Sequence, residues 1–225
     1  MNWKNNYPYL YDLYTASDRC HPDNYFARMD DFQSPLAIQG YCIWEARFAR
    51  LDSQSRCNII KRAAPLVTRR DNDKGRHWTA LFETLNEIKG YNYLQDLGYI
   101  TIYFIPTTNS HRTPDLHGKA SFGNALLEVK TVNISDNDIL RFGELQKGQD
   151  GLPDGLKNKL KFDYTSACKQ LNSYSIPEPA RRICYFDITI DFEVVLGVPK
   201  NKQALCSFFV SIKKNCEIIH HSQYW

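Results

Sequence analysis

The residues best suited to chemistry in this chain lie between positions 113 and 132. Asp115 closes a short polar turn, and Glu128 and Lys130 lie within a mostly apolar run at 125–132. The length and β-branched content of that run predict a buried strand. Side chains alternate faces along a strand, so Glu128 and Lys130 share one face. A carboxylate and an ammonium are costly there unless they face a polar cleft or pair with another group, which indicates a site.

An antiparallel hairpin would bring Asp115 to Glu128. If the residues around Asp115 form a strand that ends in a turn near 119–123, the two carboxylates converge with Lys130. Mg²⁺ prefers carboxylate and carbonyl oxygens, keeps several waters and takes a further ligand from a substrate phosphate. The alternative is an incidental turn aspartate beside an edge strand whose Glu and Lys face water.

The order Pro-Asp … Glu-x-Lys, with Asp115, Glu128 and Lys130 as its charged members, resembles the motif of the PD-(D/E)xK nucleases, the restriction-endonuclease-like superfamily. The resemblance covers roughly residues 78–190. It implies that Asp115 and Glu128 hold Mg²⁺, or Mn²⁺ as a substitute, together with the backbone carbonyl of Val129. It also implies that Lys130 orients or deprotonates the attacking water.

The same resemblance implies further site residues. In this superfamily the helix before the first strand often supplies one more acid, for which Glu83 and Glu87 are the candidates; we expect Glu83. The helix after the Glu-x-Lys strand often turns a Gln or Lys toward the site, which here matches Lys169 and Gln170.

Two loops flank the predicted cleft. The loop at 106–112 carries His111 and Arg112, either of which could contact phosphate, although exposed loop residues commonly have no such role. The stretch 147–155, rich in glycine with one proline, predicts a mobile loop that could act as a lid.

The remaining patterns predict a sheet flanked by helices. In chain order we predict helices at 35–51, 53–64 and 78–97, the last broken near Gly90 and closed by Gly98; strands at 99–105, 113–117 and 125–132; helices at 135–145 and 156–174; and strands at 182–191 and 204–212. The stretch between the third strand and the fourth is long enough for a crossover helix, so the sheet should be mixed. The predicted fold class is α/β, a mixed central sheet flanked by helices of restriction-endonuclease-like type, with a helical N-terminal region.

We divide the chain after residue 76. Residues 1–76 form a mainly helical region for target recognition or dimerisation, which begins with an irregular tyrosine-rich segment at 1–34. Residues 77–225 form the nuclease-like core. The stretch 53–70 lacks acidic residues, so its basic side chains predict either a phosphate-contacting patch or a solvated helix face: Arg56, Lys61, Arg62, Arg69 and Arg70.

Composition excludes several classes of protein. A net charge of +3, with 43% hydrophobic and 24% charged residues, is ordinary for a globular chain and rules out a strongly basic one. No apolar run is long enough to span a bilayer and no signal-peptide pattern is present, so we expect a cytoplasmic protein. The seven cysteines have no metal-binding or redox spacing, which predicts buried free thiols.

The resemblance to the PD-(D/E)xK nucleases implies a metal-dependent endonuclease that hydrolyses phosphodiester bonds in DNA, and we expect double-stranded DNA as substrate and a restriction or host-defence role. A repair, junction-resolving or transposition nuclease of the same superfamily is the nearest alternative. A non-catalytic nucleic-acid-binding protein that keeps the fold is an alternative of another class, and the intact Asp115, Glu128 and Lys130 argue against it. Cutting both strands of a duplex usually needs two sites, so we expect a homodimer.

Overall fold

In the computed structural model the chain forms helices and a five-stranded sheet. The structure describes residues 3–27, 35–70, 78–106, 112–133, 152, 154–189, 199–213 and 216–221. The chain divides into two compact units, residues 1–98 and residues 99–224.

The first unit is helical in its described part. Its helices are α1 Trp3–Asn6, α2 Pro8–Ala16, α3 Pro35–Ala49, α4 Ser53–Ala63 and α5 Thr79–Asp96. The Asp52 carboxylate caps α4 by accepting the N–H of Ser55 at 2.9 Å. Gly98 follows α5 with φ 87°, a conformation that glycine adopts without steric cost. Helices α3, α4 and α5 confirm the helices predicted at 35–51, 53–64 and 78–97.

Three expectations for this unit differ from the structure. The N-terminal segment is helical rather than irregular over most of 3–16, because Pro8 begins α2, where its missing N–H costs nothing, and Leu10 and Leu13 are buried at helical spacing. Gly90 does not break α5; it is buried within a continuous helix. Helix α5, which we assigned to the nuclease-like core, belongs to the first unit, since it packs against α3 and α4.

The second unit contains the sheet. Its strands are β1 Thr101–Phe104, β2 Leu116–Ala120, β3 Gly123–Asn133, β4 Ala180–Thr189 and β5 Glu217–His221, and its helices are α6 Asp154–Ser173 and α7 Pro199–Ile212. The strand order is β1-β2-β3-β4-β5, antiparallel from β1 to β3 and parallel from β3 to β5. The prediction of a mixed sheet flanked by helices is confirmed at this level.

The strand predicted at 204–212 is wrong. These residues belong to α7, in which Leu205 and Phe209 are buried and Phe208 and Ile212 pack against the same core. Their spacing of three and four residues is that of a helix face, although the aromatic and β-branched content favoured a strand. The last strand is β5, and because it is parallel to β4, a crossover is required, which α7 provides.

One face of the sheet packs against α6, and we call it the α6 face. Its register-matched members from β1 to β4 include Thr101, Tyr103, His117, Lys119, Leu126, Glu128, Lys130, Cys184 and Phe186. Leu160, Ala167 and Leu171 of α6 share a buried core with residues of β3 and β4 on this face. Over β1 and β2 the α6 face is open in part, since Thr101, Tyr103 and Lys119 are exposed.

All seven cysteines are free, as predicted. Their predicted burial holds for Cys184 and Cys216 only, because others lie on the outer faces of helices, as Cys42, Cys57 and Cys206 do. Within the part of the chain that the structure describes, no helix is both long and apolar enough to cross a membrane.

Two predicted elements fall largely outside the described residues. These are the short helix at 135–145 and the glycine-rich loop at 147–155, of which only Leu152 and the first residues of α6 are described.

Candidate active site

The β2–β3 hairpin brings Asp115 to Glu128. Leu116 pairs with Leu127, and the N–H of Asp115 donates to the Leu127 carbonyl at 3.1 Å, so Asp115 is the next residue in register and lies opposite Glu128. The tight turn into β3 places Gly123 at φ 136°, where any other residue would be strained.

The Asp115 carboxylate is fixed against β3. Its Oδ2 accepts a hydrogen bond from the N–H of Val129 at 2.7 Å. Because the donor is a backbone group of the strand, the carboxylate is held beside Glu128 by the fold itself. The hairpin geometry that we predicted from the sequence is therefore present.

Glu128 and Lys130 pair on the α6 face. Lys130 Nζ lies 2.6 Å from Glu128 Oε1, and the two side chains are 23% and 3% exposed. The Glu128 carboxylate is thus buried, whereas its Lys130 partner is partly exposed. The alternative in which Glu128 faces water does not hold.

Helix α6 contributes a further group. Gln170 Nε2 donates a hydrogen bond to Glu128 Oε2 at 2.8 Å and another to the backbone carbonyl of Thr113. Both carboxylate oxygens of Glu128 therefore accept from a donor, one from Lys130 and one from Gln170. The structure places Gln170 with the other candidate residues, as the prediction required.

The charges of this cluster do not balance. Burial raises the pKa of Glu128 to about 8, and repulsion from Asp115 adds to the rise, while Lys130 acts in the opposite direction. Burial also acts to lower the pKa of Lys130, but the Glu128 carboxylate outweighs it and holds the pKa above its ordinary value. The ammonium stays charged, so the carboxylate pair is the group that must take up a proton or a cation.

A divalent cation fits this donor set. Two carboxylates that repel each other, one of them only 3% exposed, are groups whose charge a cation would balance. Carboxylate oxygens, with the Val129 carbonyl as the predicted third ligand, are of the type that Mg²⁺ prefers. Among the residues described here, no group of three or more His, Cys, Asp or Glu side chains could hold a metal ion, so further ligands would come from backbone, water or substrate.

The two helix acids of the first unit differ in environment. The Glu87 carboxylate is buried and forms a bidentate ion pair with Arg62, at 2.6 and 2.5 Å. Glu83 is exposed on the same helix. Glu87 thus has a structural partner inside its own unit, whereas the role of Glu83 stays a prediction.

The candidate phosphate-binding residues are less well placed. Arg112 and Lys169 are exposed, and no described contact joins either one to the carboxylates. His111 lies outside the described residues. Their roles therefore stay predictions.

The basic residues of 53–70 are partly committed to structure. The Arg56 guanidinium donates to the carbonyls of Phe48 and Leu51, at 3.3 and 2.7 Å, and lies 4.0 Å from the ring centroid of Tyr9. Arg62 pairs with Glu87, as described above. Arg56 and Arg62 are thus held by partners within their own unit. They form neither the predicted phosphate-contacting patch nor the predicted solvated helix face.

Sequence reasoning missed a second polar network on the α6 face. The Tyr103 hydroxyl is hydrogen bonded to His117 Nδ1, His117 Nε2 lies 3.3 Å from Asn124 Oδ1, and Asn124 Nδ2 donates to Glu178 at 2.6 Å. The alternation of polar His117 and Lys119 along β2 was the available signal, because it puts both on the face that carries Glu128.

Comparisons of the chain with models of known protein families, with curated proteins and with solved structures found no match.

Proposed function

We propose that this protein is a metal-dependent nuclease that hydrolyses phosphodiester bonds in DNA. The observation that carries the proposal is the convergence of Asp115, Glu128, Lys130 and Gln170 around one buried carboxylate. The resemblance of these residues to the PD-(D/E)xK motif supports it, and a mixed sheet is compatible with the restriction-endonuclease-like fold that we propose for the second unit.

Each side chain has a separate task. Asp115 and Glu128 would hold Mg²⁺ or Mn²⁺, which when bound polarises the scissile phosphoryl group and lowers the pKa of a bound water. The Lys130 side chain is 23% exposed, so its ammonium can position the attacking water; the amine could receive that water's proton only after it had lost its own. Gln170 orients the Glu128 carboxylate from α6.

The energetics of the cluster favour a catalytic role over a purely binding one. A buried carboxylate next to a second carboxylate lowers the stability of the fold, and such arrangements concentrate at functional sites. A protein that only binds nucleic acid would gain nothing from this loss of stability.

The specific form that we propose is a restriction or host-defence endonuclease that acts on double-stranded DNA as a cytoplasmic homodimer. A repair, junction-resolving or transposition nuclease is its alternative. Both forms use the same residues in the same roles, so the first experiment addresses the shared chemistry.

Incubation of the purified chain with supercoiled plasmid and Mg²⁺ or Mn²⁺ should produce nicked or linear DNA, and EDTA should abolish the reaction. Glu128→Gln should be inactive. Asp163→Asn is the matched control, because Asp163 is a carboxylate of the same unit that pairs at the surface of α6 with Lys159. Absence of cleavage of duplex, single-stranded and branched DNA in either metal would overturn the proposal, as would full activity of Glu128→Gln.

A further inference from the structure

Part of the α6 face is open beside the candidate active site. Thr101, Tyr103 and Lys119, on β1 and β2, are exposed, whereas the neighbouring part of the face over β3 and β4 is covered by α6. Next to these strands the hydrophobic side chains of Ile100 and Phe122 are also exposed, at 86% and 64%. We call Thr101, Tyr103 and Lys119 the open surface.

The ring of Tyr103 is held in place on this surface by the buried network. The Glu178 carboxylate only accepts hydrogen bonds, so the Asn124 amide turns its Nδ2 to Glu178 and its Oδ1 to His117. His117 must then carry its proton on Nε2 and accept the Tyr103 hydroxyl at Nδ1. The hydrogen bonds therefore run in one direction, from Tyr103 through His117 and Asn124 to Glu178.

Buried polar side chains destabilise a fold unless each one has a hydrogen-bond partner. His117 is 5% exposed and Asn124 is 7% exposed, whereas Tyr103 is 39% exposed. The buried members satisfy one another, and together they fix the hydroxyl end of a side chain that remains partly in solvent. A rigid, half-exposed aromatic ring loses little conformational entropy when a planar ligand stacks on it.

The surroundings of the ring favour a polyanion with planar groups. Lys119 lies on the same face of β2 as His117, and Arg112 is exposed ahead of the same strand. Aromatic side chains on an open sheet face, accompanied by cations, are the usual platform on which proteins stack unpaired bases. Bases within a duplex are stacked on one another and cannot present a face to Tyr103.

The register relates this surface to the active site. Tyr103 pairs with His117, which pairs with Leu126, two residues from Glu128 on β3. Two strand spacings across the sheet and two residues along it separate the α-carbons of Tyr103 and Glu128 by about 12 Å. Three or four stacked nucleotides at about 3.4 Å each cover that distance.

We propose that the open surface binds an unpaired nucleic-acid strand, with one base stacked on Tyr103, while a phosphodiester about three or four nucleotides along that strand lies at Asp115 and Glu128. This inference rests on the proposed nuclease function and deepens it, because it makes a locally unpaired strand part of the substrate and so favours the repair or junction-resolving alternative over the form that acts on double-stranded DNA. His117, Asn124 and Glu178 are positioning residues that act through Tyr103.

Binding can be measured without cleavage by fluorescence anisotropy of a labelled oligothymidylate in EDTA. Tyr103→Ala should weaken binding by about 5- to 150-fold, the range that loss of one base–aromatic stack spans. Tyr103→Phe keeps the ring but loses the hydrogen bond to His117 that positions it, so it should weaken binding less than Tyr103→Ala does. Phe162→Ala is the control, because Phe162 is an aromatic residue 73% exposed elsewhere in the same unit.

Direct contact can be tested by photocrosslinking. A strand that contains 5-iodouridine should crosslink to Tyr103, as identified by mass spectrometry, and the crosslink should be lost in Tyr103→Ala. His117→Gln should lower the crosslinking yield while the ring is retained, an effect that a purely structural role in folding would not produce when circular dichroism shows an intact fold.

The outcomes separate this inference from the proposed function. Tyr103-dependent binding and crosslinking without cleavage in Mg²⁺ would sustain the open surface and overturn the nuclease assignment. Cleavage in Mg²⁺ with equal oligothymidylate affinity in wild type, Tyr103→Ala and Phe162→Ala would overturn the open surface alone. A wild-type chain that does not bind oligothymidylate, or that binds duplex equally well, would also overturn it.

Discussion

Gln170 Nε2 on α6 donates a hydrogen bond to Glu128 Oε2 on β3 at 2.8 Å, and the same nitrogen donates to the Thr113 carbonyl ahead of β2. One side chain therefore ties the crossover helix to both parts of the hairpin that carries the carboxylates. This contact joins the packing of the sheet directly to the geometry of the candidate active site.

Gln170→Ala should lower both stability and cleavage. Loss of the donor leaves a buried oxygen of Glu128 without a hydrogen bond, which is expected to cost about 1–3 kcal/mol in the free energy of unfolding, measured by urea denaturation. Lys169→Ala is the control for stability, because Lys169 is the exposed neighbour on the same helix. Equal stability of Gln170→Ala and Lys169→Ala would show that the hydrogen bond contributes little. Slower cleavage by Lys169→Ala at unchanged stability would support its predicted contact with phosphate.

Metal binding and chemistry should separate between residues. Asp115→Asn and Glu128→Gln should lose both Mg²⁺ affinity and cleavage, because a neutral amide is a poorer ligand for a hard dication. Lys130→Ala should keep Mg²⁺ binding and slow hydrolysis by roughly 10²–10⁴-fold, as expected when a group that assists proton transfer is lost. Calorimetric titration paired with a plasmid assay tests this division. Normal cleavage by Lys130→Ala would refute the role assigned to Lys130. Undiminished Mg²⁺ binding after substitution of both Asp115 and Glu128 would show that the metal binds at another site.

Cation binding should release a proton at neutral pH. Since burial and Asp115 raise the pKa of Glu128 to about 8, the carboxylate must lose its proton before it can ligate a metal. Mn²⁺ affinity should therefore rise between pH 6 and about pH 8 and then level off. Calorimetry in buffers of different ionisation enthalpy measures the released proton directly. Affinity that does not change with pH would show that Glu128 is already ionised.

The metal-free protein should lose stability as pH rises. Glu128 has a folded-state pKa of about 8, above its ordinary value of 4.5, so its contribution is fully present below pH 4.5 and is lost as pH rises through 8. Urea denaturation in EDTA at pH 5, 7 and 8.5 should show this decline. Glu128→Gln cannot ionise and should remove the decline, whereas Asp163→Asn should retain it. Parallel pH profiles of wild type and Glu128→Gln would contradict the assignment.

Glu87 and Glu83 should respond differently to the same substitution. Glu87→Gln breaks a bidentate pair with Arg62 and should cost roughly 1–3 kcal/mol of stability, less than a fully buried pair because Arg62 is 34% exposed. Glu83→Gln should weaken cleavage if Glu83 supplies a ligand or water contact. Thermal unfolding and plasmid cleavage of both variants decide the matter, and unchanged cleavage by Glu83→Gln would remove it from the site.

The hairpin of the candidate site could be predicted because its signals are local. Alternation along 125–132 placed Glu128 and Lys130 on one face, and the glycine-containing turn set the register with Asp115. Gln170 could be anticipated only through resemblance to a family, because its contact with Glu128 joins residues distant in sequence. The contact of Asn124 with Glu178 was missed for the same physical reason, whereas His117 and Asn124 lie on one hairpin and were missed although the alternation along β2 gave a local signal.

The errors in the fold have a common origin in competing local signals. The run that became α7 has the aromatic and β-branched composition of a strand, yet Leu205 and Phe209 are spaced as on a helix, and packing against the sheet decided the outcome. Gly90 weakens a helix by about 1 kcal/mol, which burial of the surrounding residues in α5 outweighs.

The order of the strands also sets the order in which the centre can be completed during synthesis. The β2–β3 hairpin closes over a short loop, so Asp115 and Glu128 can meet early, whereas Gln170 must wait for a crossover of more distant residues to dock. In a nascent chain that ends before α6, Asp115, Glu128 and Lys130 lie on a hairpin against which α6 has not yet packed. Assembly of the complete cluster thus coincides with docking of α6 on the sheet.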